Sequence, residues 1–144
     1  MRPIRDIMAR KLLNTIFQEV AEAPDRTERI RVLQANNNTA FKDLLRYGLD
    51  PNIQFDVKIP TYRQSEETDG YAANTLYVEY RRLYMFTSTF TKINAVRKAA
   101  LLCQILESID ISDALLLIKV VKKELQPYGL DVSIVNEAFP GLIQ

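Results

Sequence analysis

The stretch that decides the fold is "DALLLIKVVKKEL", residues 113–125. When these residues are placed on a helix, the apolar side chains nearly encircle it, which is typical of a helix that other elements surround. Ser112 is predicted to cap the start of this helix, and Pro127 and Gly129 are predicted to end it. The sequence therefore predicts one central core helix against which the remaining segments pack.

The segments that precede the core helix show helical periodicity. One helix is predicted over residues 4–23, where apolar residues recur every four positions and Pro24 ends the pattern. Asp25 is predicted to cap a second helix, and Thr39 a short third helix that Gly48 closes in the left-handed conformation. The first half of the chain is therefore expected to be largely helical.

The segment "NIQFDVKIP", residues 52–60, has a different period. Its apolar residues, Ile53, Phe55, Val57 and Ile59, alternate with polar ones, and a period of two is typical of extended chain. A polar loop is predicted over residues 60–73. The sequence therefore predicts one extended strand-like arm near residues 53–59 and no substantial sheet.

Helices are predicted again in the second half of the chain. One runs from Asn74 or Thr75 to about Phe86 or Phe90, one covers residues 94–108, and Asp131 caps a last short helix. Together with the core helix, these segments predict a mostly α fold. We expect a compact single-domain bundle of six or seven helices over residues 1–144, with one extended arm.

The composition excludes several classes of catalytic site. The 144 residues include no His and one Cys, so His-based catalysis, His–metal sites and Cys-rich zinc sites are excluded. The two glycine-rich phosphate-binding motifs, G-x-x-x-x-G-K-[ST] and G-x-G-x-x-G, are both absent from the sequence. Cys103 lies in the apolar run "AALLCQIL", where a buried structural thiol is favoured over a reactive one. We therefore expect no enzymatic activity, no cofactor and no bound metal.

The chain carries no pattern for secretion or membrane insertion. Its start, "MRPIRD", lacks an apolar signal core, and no run of about 18 apolar residues occurs. The sequence therefore predicts a cytoplasmic protein that does not bind membranes.

Positive charge is concentrated in two places, although the net charge is only +1. Residues 80–106 contain no Asp or Glu and carry five basic residues, Arg81, Arg82, Lys92, Arg97 and Lys98. On the core helix, Lys119, Lys122 and Lys123 fall within about 100° of arc. Both clusters are candidates for contacts with phosphate groups, and the alternative for both is an ordinary solvated surface.

Both ends of the chain resemble a known domain. The stretches "KKELQPYG" (122–129) and "VSIVNEAFPGLI" (132–143) resemble the end of the N-terminal DNA-binding domain of the T-even bacteriophage type of ATP-dependent DNA ligase. The stretch "KLLNTIFQEVAEAPDRTERIRVLQANNNTAFKDLLRYGLDPNIQF" (11–55) is similar to the beginning of that domain in the order of its elements. The resemblance is coarser over residues 60–93, and Phe139 stands where family members often carry Trp.

The resemblance implies a partner and a mode of contact. Such a domain resembles a clamp across the minor groove of double-stranded DNA, intact or nicked. It holds the sugar-phosphate backbone, and such contacts position a protein without reading sequence. The resemblance favours phosphate contacts at both basic clusters. It also suggests a close backbone approach at Gly129 and hydrogen bonds from Ser133 and Asn136, although Gly129 fits simple C-capping equally well.

In such ligases the Pro-Gly-Leu-Ile stretch leads into an adenylation domain, whose lysine nucleophile lies in a K-x-D-G motif. Here the chain ends at Gln144, and its only D-G lies in "ETDG" (67–70), where Glu67 replaces the lysine. The resemblance therefore implies a DNA-gripping domain produced alone, phage-encoded and acting in the cytoplasm of the host cell. The alternative is a protein-interaction module on the same scaffold that binds a replication, repair or host protein.

Overall fold

Helices form most of the chain in the computed structural model, which describes residues 11–66, 72 and 74–144. The α-helices are α1 (Leu13–Glu22), α2 (Arg26–Ala35), α3 (Thr39–Leu49), α4 (Leu76–Glu79), α5 (Ala95–Ser108), α6 (Ile111–Val121) and α7 (Val132–Ala138). Two 3₁₀ helices span Tyr80–Phe86 and Gln126–Tyr128. The described residues contain no β-strand, so the predicted mostly α fold is confirmed.

Helix α6 lies at the centre of the fold. It contacts α1, α3 and α5, and it buries Leu116, Leu117 and Val120 completely. Leu115 is the exception, because 48% of its surface is exposed. The prediction of a central core helix is confirmed. The beginning of the predicted first helix, residues 4–10, and the "ETDG" stretch lie outside the described residues.

Both predicted ends of the core helix are wrong. Helix α6 starts at Ile111, so Ser112 lies inside the first turn, where its hydroxyl is buried without a hydrogen-bond partner among the described groups. The helix ends at Val121 in a Schellman motif: Glu124 N–H donates to the Lys119 carbonyl at 2.8 Å, and Lys123 has a φ of 58°. Because this left-handed residue breaks the helical hydrogen bonding, Pro127 and Gly129 belong to the following 3₁₀ turn instead.

The start and end of α3 also differ from the prediction. Asn38 caps this helix by accepting a hydrogen bond from Phe41 N–H at 2.8 Å, and Thr39 is its first residue. Gly48 is helical and does not have a left-handed backbone. A Cβ atom at Gly48 would lie 2.5 Å from Leu125 Cδ1, so glycine serves here to admit the buried Leu125 side chain.

The helix predicted from Asn74 or Thr75 changes its winding. Thr75 caps the single turn α4, and the chain then continues as a 3₁₀ helix to Phe86. Side chains three residues apart eclipse in a 3₁₀ helix. Tyr80, Leu83 and Phe86 therefore share one face, and all three are buried.

The extended arm is confirmed. Phe55 forms an isolated antiparallel bridge with Thr87, and Ser88 N–H donates to the Gln54 carbonyl at 2.8 Å. Along residues 53–59 the apolar side chains are half-buried and the polar ones between them are exposed, as a period of two requires. In the described ranges, no helix has both the length and the apolar character needed to cross a membrane.

Candidate nucleic-acid interface

Five of the predicted phosphate-binding residues present their charge at the surface. Arg81, Lys92, Arg97 and Lys122 are exposed, and Lys119 is half-buried. Among the described residues, none of the five has a carboxylate within 4.0 Å, since the ion pairs there involve other cations. Their charges therefore remain available to an anion from outside the fold.

Lys119 and Lys122, which we call the α6 pair, lie at the end of the core helix. The Lys119 ammonium lies 5.4 Å from the centre of the Tyr128 ring, a cation–π distance. Tyr128 is buried under it, and this burial raises the pKa of the Tyr128 hydroxyl. The ring therefore positions Lys119 at the surface beside the freely exposed Lys122.

Lys123 does not share this face. Its ammonium donates to the carbonyl oxygens of Tyr47 (2.8 Å), Asp50 (2.9 Å) and Ile53 (2.7 Å), at the end of α3 and the start of the arm. Burial lowers the pKa of Lys123, and the nearby Asp50 charge partly opposes this shift. The prediction that three lysines share one helix face is wrong, because Lys123 lies beyond the helix end and turns inward.

The basic cluster in residues 80–106 is smaller in three dimensions than in sequence. Lys98 is 3% exposed, and its ammonium donates to the Thr87 carbonyl at 2.8 Å. Arg82 pairs with Glu79 at 3.2 Å. The accessible charges of this cluster are therefore Arg81, Lys92 and Arg97.

Gly129 is a C-capping glycine, one of its two predicted roles. Its φ is 73°, and its N–H donates to the Gln126 carbonyl at 2.8 Å. A Cβ atom there would lie 2.8 Å from the Arg29 guanidinium carbon. Arg29 donates in turn to the carbonyls of Val20 and Ala23 at the end of α1. The absence of a side chain at Gly129 thus leaves space for Arg29, which donates hydrogen bonds to carbonyl groups at the end of α1.

Replacing Gly129 by Ala should destabilise the fold by about 2–3 kcal/mol, from left-handed strain of about 1–2 kcal/mol plus displacement of Arg29. Gly141→Ala is the matched control: its φ is 79°, but no atom of the described residues lies within 4 Å of the added atom. The control should lose only the left-handed strain, about 1–2 kcal/mol. Urea denaturation measures both, and equal losses would contradict the role given to Arg29.

Ser133 and Asn136 make contacts within the fold. The Ser133 hydroxyl accepts a hydrogen bond from Arg26 at 3.1 Å, and Arg26 also pairs with Glu137 at 3.0 Å. The Asn136 amide donates to the Ile143 carbonyl at 2.8 Å and accepts from Ile143 N–H at 2.9 Å. Asn136 therefore ties the last residues of the chain to α7.

The sequence did not predict a groove that two distant segments form. The groove has a volume of about 410 Å³ and is lined by Asn37, Asn38, Thr39, Ala40, Lys42, Tyr77, Tyr80 and Arg81. The start of α3 could be found from its turn residues, but no local pattern indicates that residues 77–81 lie beside it. Across the described part of the chain, no group of three or more His, Cys, Asp or Glu residues could hold a metal ion.

Comparisons with known proteins give a fold and a family. Two solved structures, "Pmar-Lig_PreS3" and "Pmar-Lig_Pre.", are each similar to this chain with a TM-score of 0.69 and 19% sequence identity. Each match covers 93% of this chain but 31% of the other, so this chain spans about a third of those proteins, and the likeness shows the fold alone.

No curated protein matches the chain. The model of a family of unknown function, DUF6433, matches residues 16–127. With most of its length inside that match, the chain belongs to the family DUF6433.

Proposed function

We propose that this protein is a non-catalytic protein that binds double-stranded DNA through the sugar-phosphate backbone, with weak sequence preference. The observation that carries the proposal is the set of five accessible cations without carboxylate partners among the described residues: Arg81, Lys92, Arg97, Lys119 and Lys122. Basic side chains of this kind neutralise phosphates and release counterions, which drives binding without base recognition.

The fold supports the same proposal. It is shared with ligase-related solved chains, and the sequence resembles the DNA-binding domain of a ligase family. From this likeness we propose DNA binding alone, because the match covers 31% of those chains. The absence of His from the sequence excludes His-based catalysis and supports a non-enzymatic role.

The direct test is the salt dependence of DNA binding, measured by fluorescence anisotropy on intact duplexes. If about five phosphates are neutralised, the logarithm of the association constant should fall with log salt at a slope of about −4 to −5. Two duplexes of unrelated sequence should give the same affinity, because phosphate contacts carry no base information. The same titrations are made with a nicked duplex and with a single strand. Absence of duplex binding at about 50 mM salt would overturn the proposal.

A second candidate is a protein-interaction module that binds a replication, repair or host protein. Exposed apolar side chains within or just before residues 80–106 in sequence favour it: Val78, Tyr84 and Val96, the last of which is 80% exposed. Such residues contribute to protein–protein contacts when they form a continuous patch. This candidate predicts negligible duplex binding even at low salt, and variants of the basic residues that behave like the wild type.

A further inference from the structure

We infer that the groove between the start of α3 and residues 77–81 is a binding site for a phosphate group. The inference goes beyond the proposed function, because it assigns a ligand to a concave site that includes Lys42 and the side chains around it. It shares only Arg81 with the five cations proposed to bind duplex DNA. Lys42 belongs to the groove alone and the α6 pair to duplex binding alone, so variants at those positions test the two proposals separately.

The groove has the size of a ligand site. Its volume of about 410 Å³ lies within the range of about 300–1,000 Å³ that is typical of small-molecule sites. Asn37, Asn38 and Thr39 line one wall, and Tyr77 and Tyr80 line the other. The lining includes amide and hydroxyl groups, of which the Tyr77 hydroxyl donates to the Lys11 carbonyl at 2.6 Å and the Asn38 side chain caps α3. A polar lining of this kind suits a ligand with several hydrogen-bonding oxygens.

Two cations line the groove, Lys42 on α3 and Arg81 on the 3₁₀ helix. Carboxylates lie close to both in sequence, but each pairs with a different cation. Asp43 pairs with Arg46 at 3.8 Å, and Glu79 pairs with Arg82 at 3.2 Å. Within the described residues, the two charges in the groove are thus left without an internal counterion.

Both cations are also positioned. The Lys42 ammonium lies 5.6 Å from the centre of the Phe139 ring, and the Arg81 guanidinium lies 5.8 Å from that of the Tyr80 ring. Cation–π contacts at these distances hold a charged group in place while leaving its N–H groups able to donate. Less side-chain entropy is then lost when a ligand binds.

A phosphate group fits this arrangement better than a singly charged anion does. A phosphate monoester carries a charge of about −1.5 to −2 at pH 7 and three acceptor oxygens, which matches two cations and the polar walls. Arginine binds phosphate through two parallel N–H groups, and lysine acts as a compact charge. The groove also has room for part of the molecule that carries the phosphate.

The test is a ¹⁵N NMR titration of the full chain with inorganic phosphate, with chloride at equal ionic strength as the reference. We expect saturable shifts of the backbone amide signals from residues 37–42 and 77–81. Lys42→Met with Arg81→Met should weaken this binding by about tenfold or more, because two charge-assisted contacts are lost. Lys58→Met, which removes an exposed charge from the arm, should leave it unchanged.

Two further titrations identify the source of the phosphate. A duplex with a 5′-terminal phosphate and the same duplex with a 5′-hydroxyl are titrated in turn. If only the phosphorylated duplex shifts the groove signals, the site takes a DNA end; if both do, it takes a backbone phosphate. If neither duplex does but inorganic phosphate does, the ligand is a small phosphate compound. Each of these results supports the inference and separates it from duplex binding by the α6 pair.

Other results would overturn it. Groove signals that do not saturate with phosphate, or that respond equally to chloride, would show that no phosphate site exists there. The same conclusion would follow if the double variant bound as tightly as the wild type. Circular dichroism checks that the double variant is folded. If helical content is lost, Lys42→Met alone replaces the double variant, because Lys42 is partly exposed and is not among the cations proposed to bind duplex DNA; the expected weakening is about fivefold.

Discussion

Replacing both Lys119 and Lys122 by methionine should lower the affinity for duplex DNA by about a hundredfold at about 50 mM salt. Each lysine is expected to neutralise one phosphate, and each lost contact removes about 0.9 from the salt slope. The slope should therefore become shallower by about 1.8 units. Two unrelated duplex sequences should lose the same affinity, because the lysines contact no base edges. Anisotropy titrations at three salt concentrations measure both quantities.

The fold should survive this change. Lys122 is exposed, and the methionine side chain at position 119 can still cover the Tyr128 ring. Exposed charges contribute little to stability, so helical content should be unchanged. The matched control is Lys58→Met with Arg63→Met, which removes the same charge from two exposed positions outside the proposed surface. If control and α6-pair variants lost equal affinity, binding would follow net charge and not this surface.

Replacing Lys123 by alanine should instead destabilise the fold, by about 2–3 kcal/mol. The variant loses three hydrogen bonds from a charged donor, to the carbonyls of Tyr47, Asp50 and Ile53. The carbonyls of Tyr47 and Asp50 lie at the C-terminal end of α3, where the helix dipole also favours a cation. The arm should detach from α3 more readily as a result. Urea denaturation followed by circular dichroism gives the free energy of unfolding.

Lys123→Gly is the matched variant, because it removes the same hydrogen bonds but relieves the left-handed backbone at φ 58°. It should be more stable than Lys123→Ala by about 1 kcal/mol. Below their unfolding transitions, both variants should bind duplex DNA with about the wild-type affinity. Normal stability combined with weakened DNA binding would restore Lys123 to the phosphate-binding face predicted from helix periodicity.

The sequence by itself determined the elements of the fold. Apolar periodicity located the core helix and the arm, and the side chains of Asp25 and Asp131 cap α2 and α7 as predicted. These features depend on residues within a few positions of one another. Helix caps and side-chain periods are local properties of the backbone, so a linear pattern is sufficient to identify them.

The composition also determined what the site lacks. Because the chain contains no His and one Cys, the sequence alone excludes whole classes of catalytic and metal site. Charge counting was less successful. It identified Arg81, Lys92 and Arg97 together with Arg82 and Lys98, although only the first three remain accessible without a carboxylate partner in the part of the chain that the structure describes.

Only the tertiary structure decided which charges face outward. Lys123 turns inward to a carbonyl group 76 residues away in the chain, and Lys42 shares a groove with Arg81 from a different segment. The tertiary structure also explains Gly48, because any larger side chain there would clash with Leu125, which lies in a distant segment. A cation removed from solvent is stable only where the fold brings hydrogen-bond acceptors to it. The placement of those acceptors depends on how helices pack, and local sequence patterns do not encode that packing.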